Sequence, residues 1–207
     1  MPRPIAADAE ATKNRILESA AQLFATYSVG STSMRQIARE AEVSQSVIHH
    51  YFGSKDHLYQ SCITSMYASL TQLEQELFTA LDPTVQPQEI LKTSIIRAMS
   101  FARNHRANVL LMTRSVLDQE ESHPLRVTHL ERLLERGAAL LHPMCGLSQA
   151  ELRFALYSLT FIGIRLALVT DTELRRVLDI DLADEALYQA ADLHLVSLAR
   201  RHLGVSS

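Results

Sequence analysis

Residues 34–55, MRQIAREAEVSQSVIHHYFGSK, decide how the rest of the chain is read. Ser33 stands three residues before Gln36, the spacing of a capping box that opens a helix. Met34, Ile37, Ala38 and Ala41 give that helix one apolar face. The tripeptide EVS turns the chain, and Ser44 is placed to cap a second helix. At about 100° per residue, Gln45, Ser46, His49 and His50 share one side of the second helix. Val47, Ile48, Tyr51 and Phe52 share the other. Two short helices around a tight turn, the second with an open polar face, are the layout of a DNA-reading helix-turn-helix. The segment that would enter the groove nevertheless contains no Arg or Lys.

Helical periodicity continues on both sides. Upstream, Ile16, Leu17, Ala20, Leu23, Phe24 and Tyr27 recur at three-and-four spacing as one buried stripe, ending at SVGSTS. Downstream, Ser54 caps a long helix whose stripe is Leu58, Cys62, Met66, Leu70, Leu73, Leu77 and Leu81. Beyond DPTVQP, helices are predicted over 87–103, 105–119, 124–142, 148–169 and 182–203. Ser148 and Glu151 form another capping box, and TDTELRRVLDID reads as a mixed connection with a short helical turn. FIGI has strand-like composition but lies inside a capped apolar stretch too long for an average strand. The predicted fold is all-α, with nine or ten helices. Residues 1–53 form an N-terminal three-helix head and residues 54–207 a larger helical body, with 54–81 as the connecting helix.

Composition narrows the function classes. A net charge of −3 and a pI near 6.3 exclude a polycation that coats nucleic acid by charge alone. Cys62 and Cys145 stand far apart with no zinc-finger spacing, which reads as two buried, reduced thiols. Nine histidines include no HxxxH, HExxH or Cys–His cluster, so neither a metal nor another cofactor is expected. No nucleophile–base constellation or phosphate-cradling glycine loop points to an enzyme. No secretory signal opens the chain, and the longest apolar run, LTFIGIRLALV, is too short to span a bilayer, so no membrane partner and a cytoplasmic location are expected.

The elements RILESAAQLFA, STSMRQIAREAEVS and IHHYFGSKDHL, the last ending in an aromatic-x-Ser-Lys-acidic-x-Leu signature at Phe52–Leu58, carry a resemblance. Residues 12–58 resemble the DNA-binding domain of the TetR/AcrR family of bacterial transcriptional regulators. That resemblance implies a homodimer with two reading heads, and a C-terminal body that buries the dimer interface and encloses a small-molecule effector. Effector binding usually releases a family repressor from its operator. Three positions depart from the family pattern. Glu42 stands where the turn usually has Gly and tends to need positive φ, Ser28 and Val29 replace a frequent Gly-aromatic pair, and His49 replaces a phosphate-touching Tyr.

The head holds six basic and six acidic residues within positions 1–60, so position must supply what net charge does not. Helix N-termini attract phosphate, and Thr32, Ser33, Arg35, Tyr51 and Lys55 flank the two available ends as phosphate clamps. Ser44 caps the reading helix, and Gln45, Ser46, Val47, His49 and His50 are the base-reading candidates, Val47 standing equally well in the core. In the body, the candidate effector residues are Phe78, Arg97, Met99, Phe101, Met112, Arg114, Phe154, Tyr157, Phe161 and Arg165. Core packing and ion pairing are the competing readings of these side chains. The candidate dimer contacts are Leu156, Leu159, Gly163, Leu187, Ala191, Leu195 and Leu198, on helices with more apolar surface than one stripe needs. The competing function is a helical protein-interaction adaptor, which salt-dependent binding to an operator-sized duplex distinguishes. With two histidines on the reading face, DNA affinity is expected to rise as pH falls from about 8 to 6. A His49→Gln, His50→Gln control should flatten that rise, and identical pH profiles for the two proteins would contradict it.

Overall fold

The computed structural model describes residues 5–79, 85–118, 124–179 and 183–204. Its elements there are ten α-helices and one short 3-10 helix (His142–Met144), with no strand. The α-helices are α1 (Ile5–Ser31), α2 (Met34–Glu40), α3 (Gln45–Phe52), α4 (Lys55–Thr79) and α5 (Pro87–Asn104). They continue with α6 (Arg106–Asp118), α7 (Pro124–Leu141), α8 (Gln149–Leu168), α9 (Asp171–Leu178) and α10 (Asp184–Leu203). Within the mixed connection after α8, Asp171–Leu178 form a helix capped by Thr170, whose side chain accepts from Glu173 N. FIGI lies within α8. The chain divides into two compact units, Met1–Ser69 with Ala107–His123, and Leu70–Arg106 with Pro124–Ser207.

In the first unit, Ile16, Ala20 and Phe24 of α1, Ile37 of α2, Ile48 of α3, and Leu58 and Ile63 of α4 are almost wholly buried. Phe24 also meets Tyr59 edge-on at 5.8 Å. Tyr27 departs from its predicted stripe and is 57% exposed. Ala21 and Ala25 take up the buried arc instead, and the backbone kinks at the residue after Tyr27. Cys62 is buried and donates to the Leu17 carbonyl, and burial pushes its thiol pKa up to about 12. Cys145, in the second unit, is also free and buried.

The second unit is built on α5, α7, α8 and α10. Leu91, Leu141, Leu152, Ala155, Ala199 and Leu203 form one cluster, and Met99, Ala167 and Leu195 another. Gly137 of α7 permits a close approach to α8, since a Cβ there would lie 2.8 Å from Leu156 Cδ1. One ion pair is well inside. Both guanidinium nitrogens of Arg103 (α5) reach the carboxylate of Asp192 (α10) at 2.7 Å, with Arg103 over the Tyr188 ring. Arg106 donates to the carbonyls of Ala167, Leu168 and Val169, closing the C-terminal end of α8.

The predicted stripe of α4 is buried only in its first half. After Leu58, Cys62 and Met66, the next buried residue on that row is Glu74, only 3% exposed. Leu70, Leu73 and Leu77 are half-buried, and Leu81 lies outside the described residues. One oxygen of Glu74 accepts from Arg136 at 2.9 Å, while Oε2 has no hydrogen-bond partner and stands 3.8 Å from His129 Nδ1. Burial holds the His129 pKa below its ordinary value, against the opposing pull of Glu74.

Two of the family departures meet the backbone directly. Glu42 has φ 53 and Ser28 has φ 70 with ψ 163, the latter in a region that is essentially Gly-only. Relief of that strain outweighs the extra chain entropy of glycine. Glu42→Gly should therefore raise the unfolding free energy by about 0.5–1 kcal/mol and Ser28→Gly by about 1–2 kcal/mol. Urea titration checks both, and unchanged or lowered stability would contradict the strain.

Candidate nucleic-acid interface

The interface is assembled from three chain corners. The first opens α2. Ser33 Oγ accepts from Gln36 N while Gln36 Oε1 accepts from Ser33 N at 2.8 Å, the reciprocal box read from the sequence. The Ser33 hydroxyl also donates to Gln36 Oε1 at 2.7 Å, so it is engaged within the box. The second corner is the turn through Glu42, after which Ser44 accepts from Val47 N and shares a 2.7 Å contact with the Ser46 hydroxyl. The third lies between α3 and α4. Gly53 has φ 72 and ψ −70, and Ser54 N donates to Phe52 O at 2.8 Å, which together make a γ-turn of the strained hand. Ser54 Oγ then accepts from His57 N and caps α4.

These corners present α3 as predicted, with Gln45, Ser46, His49 and His50 exposed along one side. Ile48 and Phe52 are buried on the other, while Val47 and Tyr51 are half-buried between them. Arg35 is exposed at the start of α2. On the reading face, His49 Nδ1 lies 2.6 Å from Gly53 O, and His49 Nε2 lies 3.3 Å from Gln45 Nε2.

Two expected phosphate clamps have other work. Thr32 is 2% exposed, and its hydroxyl donates to Ser28 O at 2.7 Å, so it is unavailable to a phosphate. Lys55 points its ammonium inward, at 2.7 Å from Val29 O and 3.1 Å from Thr32 O. It ties the start of α4 to the corner between α1 and α2, and places positive charge at the negative end of α1. One signal for this was present in the sequence. A lysine in the first turn of a helix sits at the electrostatically wrong end, which favours a role elsewhere.

The body candidates also redistribute. Leu187, Ala191 and Leu195 are buried within the second unit, and Leu156, Leu159 and Leu198 pack against its core clusters. Gly163 faces Met99 Sδ and Leu195 Cδ2, each 3.6 Å from a notional Cβ. Leu187, Ala191 and Leu195 therefore belong to the chain's own core, while Leu156, Leu159, Gly163 and Leu198 are half-buried against it. The exposed side of α8 carries Phe154 and Phe161, 71% and 49% exposed, with Ile162 beside them. Those two aromatics had been expected at an enclosed effector site. Tyr157 is half-buried and stacks edge-on with Phe161.

Of the other effector candidates, Met99 is core, Phe101 lies against the His105 ring, and Met112 and Arg114 are half-buried. Arg97 and Arg165 make surface ion pairs with Glu76 and Glu173, worth at most about 1 kcal/mol each. Phe78 lies under the Arg136 guanidinium at 4.0 Å. The effector candidates are thus not gathered at one place. A shallow groove of about 570 Å³ is lined by Gln72, Gln75, Glu76, Thr79 and Arg97, of which only Arg97 was singled out. Among the described residues, no group of three or more His, Cys, Asp or Glu is placed to hold a metal ion. No single described helix is long and apolar enough to cross a membrane.

Lys55→Ala should cost the head about 1.5–3 kcal/mol of stability, because two charge-assisted hydrogen bonds are lost. Thermal unfolding checks this. A variant of unchanged stability, weakened only in DNA binding, would make Lys55 a phosphate contact instead.

Comparison with known proteins agrees with this geometry. The sequence family described as "Bacterial regulatory proteins, tetR family" matches residues 16–62. The chain is 26% identical over 70% of its length to the HTH-type transcriptional repressor NicS of Pseudomonas putida, covering 67% of that protein. It is 28% identical over 67% of its length to the HTH-type transcriptional regulator BetI of Rhizobium meliloti, covering 68% of it. With the probable HTH-type transcriptional regulator YttP of Bacillus subtilis it shares 30% identity over 51% of its length, and spans half of that relative. A TetR-like transcriptional regulator from Rhodococcus sp. RHA1 superimposes with a TM-score of 0.70 at 25% identity, over the full length of both chains. A tetR-family regulatory protein from Rhodococcus RHA1 shares the fold at a TM-score of 0.68 and 17% identity, over 95% of this chain and 98% of that one. With the capped helix pair, its exposed polar face and the helical body in place, residues 16–62 are a helix-turn-helix domain of the tetR family, and the chain is similar along its length to TetR-like, DNA-binding transcriptional regulators.

Proposed function

We propose that the protein works as a homodimeric repressor in the cytoplasm, binding a palindromic operator and leaving it when a small-molecule effector occupies the body. The observation that carries this is the reading face of α3. Four polar side chains stand exposed in register on a helix capped at Ser44 and anchored by Ile48 and Phe52. Residues 1–53 act as the reading head, 54–207 as the effector and dimerisation body, and 54–81 as the connecting helix. No catalytic step is assigned to it.

The exposed side of α8 supports a second copy of this chain as the partner. Phe154, Phe161 and Ile162 form an apolar strip, and exposed aromatics are typical of interface centres. For the effector, the half-satisfied carboxylate of Glu74 favours a site inside the body, since a buried acceptor without a donor is costly. An effector shifts the equilibrium only by its differential affinity for the DNA-bound and free states.

Two copies spaced for successive major grooves require half-sites about 34–36 Å apart. Duplexes selected from the chain's own genomic surroundings should bind with salt-dependent affinity at that spacing. The Phe154→Glu, Phe161→Glu variant should sediment as a monomer and lose most operator affinity while keeping its helix content. A variant that stays dimeric would remove α8 as the interface, and failure of the unaltered protein to bind any such duplex would favour the adaptor.

A further inference from the structure

We propose that His49 sets the hydrogen-bond polarity of Gln45 and thereby makes Gln45 a reader of adenine. The inference rests on the DNA-reading role proposed above and assigns His49 a positioning task within it. It starts from the backbone. At Gly53, φ 72 and ψ −70 belong to a turn that side-chain-bearing residues rarely adopt. The turn is closed by Ser54 N on Phe52 O, and Gly53 N donates to His49 O at 2.9 Å. The same residue turns its carbonyl to the imidazole, 2.6 Å from His49 Nδ1.

A carbonyl oxygen only accepts, so Nδ1 carries the proton. In the neutral ring this leaves Nε2 with a lone pair and no hydrogen. The neighbour of Nε2, one helical turn back, is the amide of Gln45 at 3.3 Å. Only the NH₂ group of that amide satisfies a lone pair, so the amide turns its nitrogen to His49 and its oxygen away. One N–H and Oε1 remain for the groove. Adenine presents an N6–H donor beside the N7 acceptor, which this pair matches bidentately. Guanine presents the O6 and N7 acceptors there, and O6 would face Oε1 lone pair to lone pair. The contact with His49 also fixes a long exposed side chain before DNA arrives, which reduces the ordering cost of the base contact.

The chain of dependence is therefore Gly53 carbonyl, His49 tautomer, Gln45 amide, base. In this arrangement His49 specifies without touching a base, and its preference appears at the position that Gln45 contacts.

The test selects bound duplexes from a randomised pool at mildly alkaline pH, about 8. It compares the unaltered protein with Gln45→Ala, His49→Phe and the double variant. The unaltered protein should prefer adenine over guanine at one position per half-site by about 5- to 150-fold, the range of a bidentate contact. Gln45→Ala should abolish that preference. His49→Phe, which keeps an aromatic ring but no nitrogen, should reduce it by several-fold at the same position and leave the others unchanged. The double variant should match Gln45→Ala. An unchanged adenine preference in His49→Phe, or a preference that survives Gln45→Ala, overturns the inference while leaving DNA reading intact. Failure of the unaltered protein to enrich any duplex overturns the DNA-reading role and this inference with it. A second measurement needs no DNA. Long-range proton–nitrogen spectra of the unaltered protein should show neutral His49 protonated at Nδ1, and a proton on Nε2 overturns the assignment.

Discussion

The head depends on one half-buried cation. Lys55 holds its ammonium on the carbonyls of Val29 and Thr32, and so joins the beginning of α4 to the corner that launches α2. Thr32 secures the same corner from inside by donating to Ser28 O. Between these two attachments the chain has little freedom in how α2 and α3 are delivered. The residues expected to grip DNA are in part those that fix the geometry with which DNA is gripped. A helix without cationic side chains is then sufficient as a reading element, because its task is base discrimination on a preformed scaffold.

The same economy appears in the turns. Ser28 and Glu42 both occupy positive-φ positions where this family favours glycine, and the chain accepts the strain at both. At Gly53 the unusual backbone is used. Its carbonyl is turned toward the reading face and meets His49, converting a turn conformation into an orientation of side-chain polarity. Arg35 remains exposed at the start of α2.

What was legible in the sequence was what is local. The capping boxes at Ser33 and Ser148, the caps at Ser44 and Ser54 and the two faces of α3 each depend on residues within four positions of one another. What was hidden depends on partners far along the chain. Lys55 finds its acceptors 26 and 23 residues away, and Arg103 finds Asp192 at a distance of 89. Glu74 interrupts a leucine stripe because α7 brings Arg136 to it. On α8, which is apolar nearly all round, periodicity marks no inside. Leu187 and Leu195, read as dimer contacts, lie in the core, and Phe154 and Phe161, read as pocket, lie on the surface.

The central claim is that the polar face of α3 reads bases from the major groove. A crystal structure of the full chain with its selected duplex tests this most directly. The account predicts α3 lying in the major groove, with the Gln45 amide on an adenine edge and Lys55 still held by Val29 and Thr32. A complex in which α3 stands away from the groove, with another element meeting the base edges, would contradict it.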